Sequence, residues 1–208
     1  MTEISTAKKI ENIIKKNPKT TVYSIQSFRD IDNYDNIRKI LSRMVKNGKL
    51  SRVSRGFYKP VDFNKFLGEE TALNQEDFVK AYAEFYKLSL APCGDTALNV
   101  LGLSSQVPNV YCYVTDGPSK VIKLADGREV EFKHRTIREI SSLNIKEAAL
   151  VEALKFLGSE NITEKVEKTI LKRFSYEELK KLKIKANQSR NWIYEEINKL
   201  LEMSKKDV

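Results

Sequence analysis

Within its first 60 residues the sequence sets three short helical patterns ahead of a run of β-formers centred on Ser54-Arg55-Gly56, and that order leaves few folds open. Thr6–Lys16 carries Ile10, Ile13 and Ile14 at spacings of three and four among lysines, and Asn17-Pro18 ends it. Ser24 is placed to cap a brief helix, SIQSFRDI, that presents Ile25 and Phe28 on one side. After the polar turn Asp32-Asn33-Tyr34-Asp35 comes DNIRKILSRMVKNG, in which Ile37, Ile40, Leu41, Met44 and Val45 form a stripe of period 3.6. Asp35 suits the positive N-terminus of that helix, and Gly48 suits a left-handed close. LSRVSRGFYKPV then reads as a hairpin. Three helices followed by a β-hairpin is the order of a winged helix-turn-helix, predicted here for residues 1–60.

Charge sharpens this expectation. The chain of 208 residues has a net charge of +9, and residues 1–60 hold 14 Lys and Arg against 5 Asp and Glu, so they account for all of it. Residues 61–208 balance, with 23 of each sign. A basic excess confined to one compact segment points to a polyanion as partner, with nucleic acid ahead of a membrane surface. In a winged helix the third helix enters the major groove and the wing reaches phosphates or the minor groove. Opposite the apolar stripe lie Arg38, Lys39, Ser42, Arg43 and Lys46, and Arg52 and Arg55 flank the hairpin turn, with Lys49 and Lys59 close by. Arginine can grip guanine through two hydrogen bonds, so Arg38 and Arg43 are the expected base readers, and the lysines and Ser42 are expected on the backbone. Ser24, with Gln26 or Arg29 nearby, is the expected phosphate contact at a helix start.

The remainder reads as a linker over 61–74 and a C-terminal domain over 75–208. QEDFVKAYAEFYKL and APCGDTALNVLGL have helical patterns; NVYCYVTD, KVIKL and EVEFKH read as strands, the last two joined at Ala125-Asp126-Gly127 in a hairpin. Helices are expected near 146–157, 161–174, 175–182 and 188–203, the last burying Ile193, Ile197, Leu200 and Leu201. The predicted class is therefore α+β, with the winged helix followed by a mixed helix and antiparallel-sheet domain that ends in helices. No apolar run approaches the ~18–20 residues of a bilayer span. The start, MTEISTAKKIENIIKK, lacks the apolar segment of a secretory signal, so a cytoplasmic protein is expected.

At IRKILSRMVKNGKLSRVSRGFYKP, and again at DTALNVLGLSSQVP with VTDGPS, the sequence resembles the AbiEi-type antitoxins of abortive-infection systems over nearly its full length. The resemblance implies a bacterial two-domain protein of an antiviral, type IV toxin–antitoxin pair. Its winged helix would repress its own operon, by two copies on an inverted repeat of the promoter. Its C-terminal domain would counteract a cognate nucleotidyltransferase toxin without a stable complex. By motif position the DNA-binding surface of that family falls on Arg38, Arg43, Lys46, Arg52 and Arg55. The second motif has no assigned chemical role: Leu98, Leu101, Leu103 and Val107 read as packing residues, and Asp116-Gly117-Pro118-Ser119 as a turn. The alternatives are a winged-helix regulator unrelated to a toxin and an RNA-binding or interaction protein. Exposed aromatics would favour RNA, but Tyr23, Tyr34, Phe57 and Tyr58 all read as packing residues.

No catalytic role, metal or cofactor is expected. Asp30-Ile31-Asp32 has the DxD form of a metal-binding pair, yet it falls in the polar turn where Asp bonds to its own backbone. Gly158-Ser159 follows far downstream with no acidic strand after it, and GxxxxGK[ST], GxGxxG and HExxH are absent. His134, the single histidine, closes the basic run Lys133-His134-Arg135 and reads as exposed. Cys93 and Cys112 lie 19 residues apart without a CxxC partner and read as small core residues.

Overall fold

The computed structural model describes residues 5–64, 69–136, 142–186 and 190–206. The fold is α+β, and the chain divides into two compact units, one running up to Lys87 and also taking in Ile122–Arg128, the other comprising Leu88–Val121 and the residues from Glu129 onward.

In the first unit, α1 (Thr6–Lys16) starts at Ser5, whose hydroxyl accepts from the Lys8 N–H. β1 (Tyr23–Ser24) leads into a single 3-10 turn, Ile25–Phe28. The expected second helix thus shrinks to one turn. Its backbone closes in i→i+3 bonds, Arg29 N to Gln26 O and Ile31 N to Phe28 O, and the following acids take up the next donors. Asp32 accepts from the Asn33 N–H, from Asn36 Nδ2 at 2.6 Å and from Thr6 Oγ1 at 2.7 Å. That carboxylate joins the starts of α1 and α2 (Tyr34–Lys46), and the three bonds hold it below its ordinary range. Asn33 caps α2, and Ile37, Leu41 and Met44 are buried against Ile10, Phe28, Leu50 and Tyr58. Gly48, at φ +67°, takes the left-handed turn out of the helix.

β2 (Leu50–Ser54) and β3 (Phe57–Pro60) form the expected hairpin, with Gly56 at φ +83° in its turn and a register shift between Arg52 and Ser54. β1 adds to β3, which gives the order β1-β3-β2. The stretch expected as a linker carries a second pairing, β4 (Phe63–Asn64) with β5 (Glu69–Glu70); residues 65–68 of that stretch lie outside the described residues. α3 (Gln75–Tyr86), expected in the C-terminal domain, belongs to the first unit. Its Phe78, Tyr82 and Phe85 rings stand 5.3, 5.8 and 5.5 Å from the Phe57 ring, and Thr21 donates to Asp77. The division therefore falls after Lys87 rather than at residues 60 and 74. A helix with one aromatic face joins whichever core offers it partners, and Phe57 supplies them.

In the second unit β6 (Leu90–Pro92) replaces the first residues of an expected helix, and α4 is confined to Gly94–Val100. Proline biases the residue before it towards extended backbone, which favours the strand at Ala91-Pro92. β7 (Val110–Thr115), β8 (Lys120–Lys123) and β9 (Glu129–His134) complete a sheet of order β6-β7-β9-β8. β6 runs antiparallel to β7, but β7 and β9 are parallel, so the wholly antiparallel sheet expected from sequence is corrected to a mixed one. β9 buries Val130 and Phe132 almost fully, whereas β8 buries only Ile122. The more apolar strand of the hairpin takes the inner position.

Helices follow as α5 (Ile145–Leu157), α6 (Glu164–Arg173), α7 (Tyr176–Lys185) and α8 (Asn191–Lys206), with a 3-10 turn at Ser159–Asn161. Residues 188–189, expected to open the last helix, lie outside the described residues. Asn144 with Glu147, and Ser175 with Glu178, form reciprocal capping boxes. α5 is buried from Glu147 to Leu154, and Leu150 and Leu154 meet Ile170, Leu179, Leu182, Ile193, Ile197 and Leu200 in one core. The buried carboxylates are paired: Glu147 with Lys185 at 2.7 Å, Glu152 with Lys155 at 2.8 Å and Arg135 at 3.3 Å, and Glu167 with Lys199.

Candidate nucleic-acid interface

With Ile37, Leu41 and Met44 committed to the core, the 3.6-residue period turns Arg38, Lys39, Ser42, Arg43 and Lys46 outward, across ~140° of the helix surface at ~100° per residue. All five are exposed. Among the described residues none of the four basic side chains has an ion-pair partner. Asp35 shares this face in the first turn, where the helix dipole favours an acid. Arg52 and Arg55 are likewise exposed and unpaired on the hairpin.

One side chain reports that the helix and hairpin charges converge. Burial pushes the Tyr58 hydroxyl above its ordinary value, while Arg52, its cross-strand neighbour, and Arg38 on α2 both draw it down, and Tyr34 adds to the upward push. Arg38, Arg52 and Tyr34 thus act on the same phenol. Tyr34 is 61% exposed, one helical turn before Arg38, and not the packing residue expected; Tyr23, Phe57 and Tyr58 are buried as expected. Its spacing of four from Arg38 was the available signal.

Other expected residues leave this surface. Ser24 is corrected: it lies in β1, paired with Phe57, is only 8% exposed, and its hydroxyl is 3.3 Å from that of Ser27. It caps nothing and offers no anion contact. Lys49 is bound to Glu11 at 2.6 Å, Arg29 pairs with Asp30 at 3.5 Å, and Lys59 donates to the Thr71 carbonyl at 2.6 Å. Sequence position cannot distinguish these tethered cations from the free ones.

The hairpin has an unexpected neighbour. The Ala125 N–H, from the Ile122–Arg128 segment, donates to the Val53 carbonyl at 2.9 Å along the outer edge of β2. Arg128 fastens the segment through Leu73 O at 2.7 Å and Asp126 at 2.6 Å. Ile122 and Leu124 are buried and Lys123 is exposed, so this segment covers an open strand edge and brings a further cation to the first unit.

The second motif is explained by architecture. Thr96 Oγ1 accepts from the Cys112 N–H, Asn99 donates to the Gln106 carbonyl, and Ser104 Oγ accepts from the Gln106 N–H. Asp116 accepts from the Ser89 N–H, Ser119 from the His134 N–H, and His134 Nδ1 donates to the Gly117 carbonyl at 2.9 Å. His134 is exposed as expected, and its ring serves the turn between β7 and β8. Among the described residues no group of three or more His, Cys, Asp or Glu is placed to hold a metal, and no helix is long and apolar enough to cross a membrane.

No curated protein matches the sequence. Among solved structures, the crystal structure of the RV2827C protein from Mycobacterium tuberculosis is similar over 97% of this chain and 78% of that one, with a TM-score of 0.50 and 11% identity, a likeness of fold alone. The family model described as "Family of unknown function (DUF6088)" matches residues 9–184, across both units, and the chain therefore belongs to the DUF6088 family.

Proposed function

We propose that this chain is a duplex-DNA-binding autorepressor and the antitoxin of a type IV abortive-infection pair, acting in the cytoplasm with no catalytic step of its own. The observation that carries the DNA-binding half is the set of exposed, unpaired cations on α2 and the β2–β3 hairpin: Arg38, Lys39, Arg43, Lys46, Arg52 and Arg55. The element order supports a winged-helix reading: α1, a one-turn helix, α2 as the groove-reading helix, and a hairpin completed by β1. Arg38 and Arg43 would read bases and Lys39, Lys46, Arg52 and Arg55 would hold phosphates, with two copies on an inverted repeat. The antitoxin half rests on the resemblance carried by Thr96–Ser119, with a nucleotidyltransferase toxin as functional partner and no stable complex between them.

Titration against duplex from the chain's own promoter tests the first half. Four phosphate contacts per copy predict a slope of log K against log salt of about −4 per copy. Co-expression with a nucleotidyltransferase encoded beside it tests the second: growth should be rescued without co-purification of the two proteins.

Tyr34 favours one rival. An exposed ring beside Arg38 can stack on an unpaired base, as single-stranded RNA readers do. Tighter binding to single-stranded RNA than to promoter duplex of equal length, lost in Tyr34→Ala, would establish that reading instead.

A further inference from the structure

We propose that Cys93 and Cys112 form a redox-modification site, at which a hydroperoxide converts two facing thiols into a reversible disulfide. The sequence separates them by 19 residues. The pairing of Leu90 with Thr115, Ala91 with Val114 and Pro92 with Tyr113 places them opposite each other at the next step of the β6–β7 ladder. The Cys93 N–H donates to the Cys112 carbonyl at 3.0 Å. Residues facing each other across antiparallel strands have Cα atoms ~4.5–5.5 Å apart, inside the ~4.4–6.8 Å that a disulfide spans. The two side chains are already in hydrogen-bond contact.

Their surroundings make the two thiols unequal. Both are free and largely buried, 4% and 8% exposed, in a cluster with Ala91, Val114 and Ala148. Lys133, on the parallel neighbour β9, reaches Cys112, and its ammonium sits at the half-exposed rim, 3.2 Å from Glu131. The bond with Cys93 and the charge of Lys133 lower the Cys112 thiol. The same bond and burial raise Cys93, which stays protonated. One activated sulfur beside one protonated partner is the arrangement for attack and resolution.

In the first step the Cys112 thiolate attacks one oxygen of hydrogen peroxide. The O–O bond breaks, an S–O bond forms, and the departing hydroxide is protonated to water. The Cys93 thiol then attacks the Cys112 sulfenic sulfur, the S–S bond forms, the S–O bond breaks, and the leaving hydroxide takes the Cys93 proton. The dithiol gives up two electrons and two protons, and the peroxide becomes two waters.

The test uses the full chain, reduced and then exposed to hydrogen peroxide, read by intact mass and by peptide mapping without reductant. A loss of about 2 Da, with one Cys93–Cys112 cross-linked peptide restored by dithiothreitol, is expected. Cys93→Ser should accumulate a Cys112 sulfenic acid that dimedone captures, and Lys133→Met should slow disulfide formation about tenfold, as loss of one pH unit of thiolate activation would. Oxidation of methionines before any 2 Da loss, or linkage only between two molecules, would overturn the site. An unchanged rate in Lys133→Met would overturn Cys112 as the attacking sulfur.

Discussion

Arg43 and Arg55 are both exposed cations of the first unit, yet different jobs are proposed for them. If Arg43 reads a guanine, Arg43→Ala should cost about 1–3 kcal/mol on promoter duplex and relax preference at a single base position. If Arg55 holds a phosphate from the turn of the hairpin, Arg55→Ala should weaken promoter and random duplex alike and reduce the salt slope by about 0.9. Competition titrations against a panel of single-base variants separate the two. Equal losses on every sequence for Arg43→Ala would move that residue to the backbone. The outward face of α2 was legible because Ile37, Leu41 and Met44 fix its phase. The tethering of Lys49 and Lys59 was not, since their partners Glu11 and Thr71 lie 38 and 12 residues away in sequence. Ser24 failed for a related reason: Ser and Thr favour caps and strands alike, and pairing with Phe57 decided between them.

Among the elements, α1, α2 and both hairpins followed from local patterns because their signals are short-range: period 3.6, Ser54-Arg55-Gly56 and Asp126-Gly127. The parallel placement of β9 beside β7 was not legible, because a strand's neighbour is chosen by comparing burial across the whole sheet. The Val53–Ala125 bond belongs to this non-local class. Ala125→Pro removes the donor along the β2 edge and should destabilise the first unit by about 0.5–1.5 kcal/mol, measured by denaturant unfolding. A second prediction concerns α6 and α8, where Glu196 is half-buried beside Glu167. Burial and that neighbouring carboxylate raise Glu196, against the pull of Lys199. An acid raised in the folded state binds its proton more tightly there than unfolded. Its stabilising contribution is complete below the ordinary glutamate value and is lost as pH rises through the raised one. Glu196→Gln, which keeps a donor towards Glu167, should raise Tm at pH 7 and leave it nearly unchanged at pH 4. A larger gain at pH 4 would contradict the assignment.

The whole molecule is two units whose boundaries do not follow chain order, since Ile122–Arg128 is grouped with the first while its flanking strands belong to the second. Deleting residues 1–60 would strip Phe57 from Phe78, Tyr82 and Phe85 and leave an apolar α3 face in water. Such a deletion tests folding as much as binding. Substituting charges on the intact chain tests binding alone. The most direct measurement is therefore fluorescence anisotropy of promoter duplex with the full chain and with its Arg38→Ala/Arg43→Ala/Arg52→Ala variant, over a series of salt concentrations. The account predicts specific binding with a salt slope near −4 per copy. The variant should unfold at the same Tm and lose its preference for promoter over random duplex. Retention of that preference by the folded variant would contradict the proposal that α2 and the hairpin read DNA.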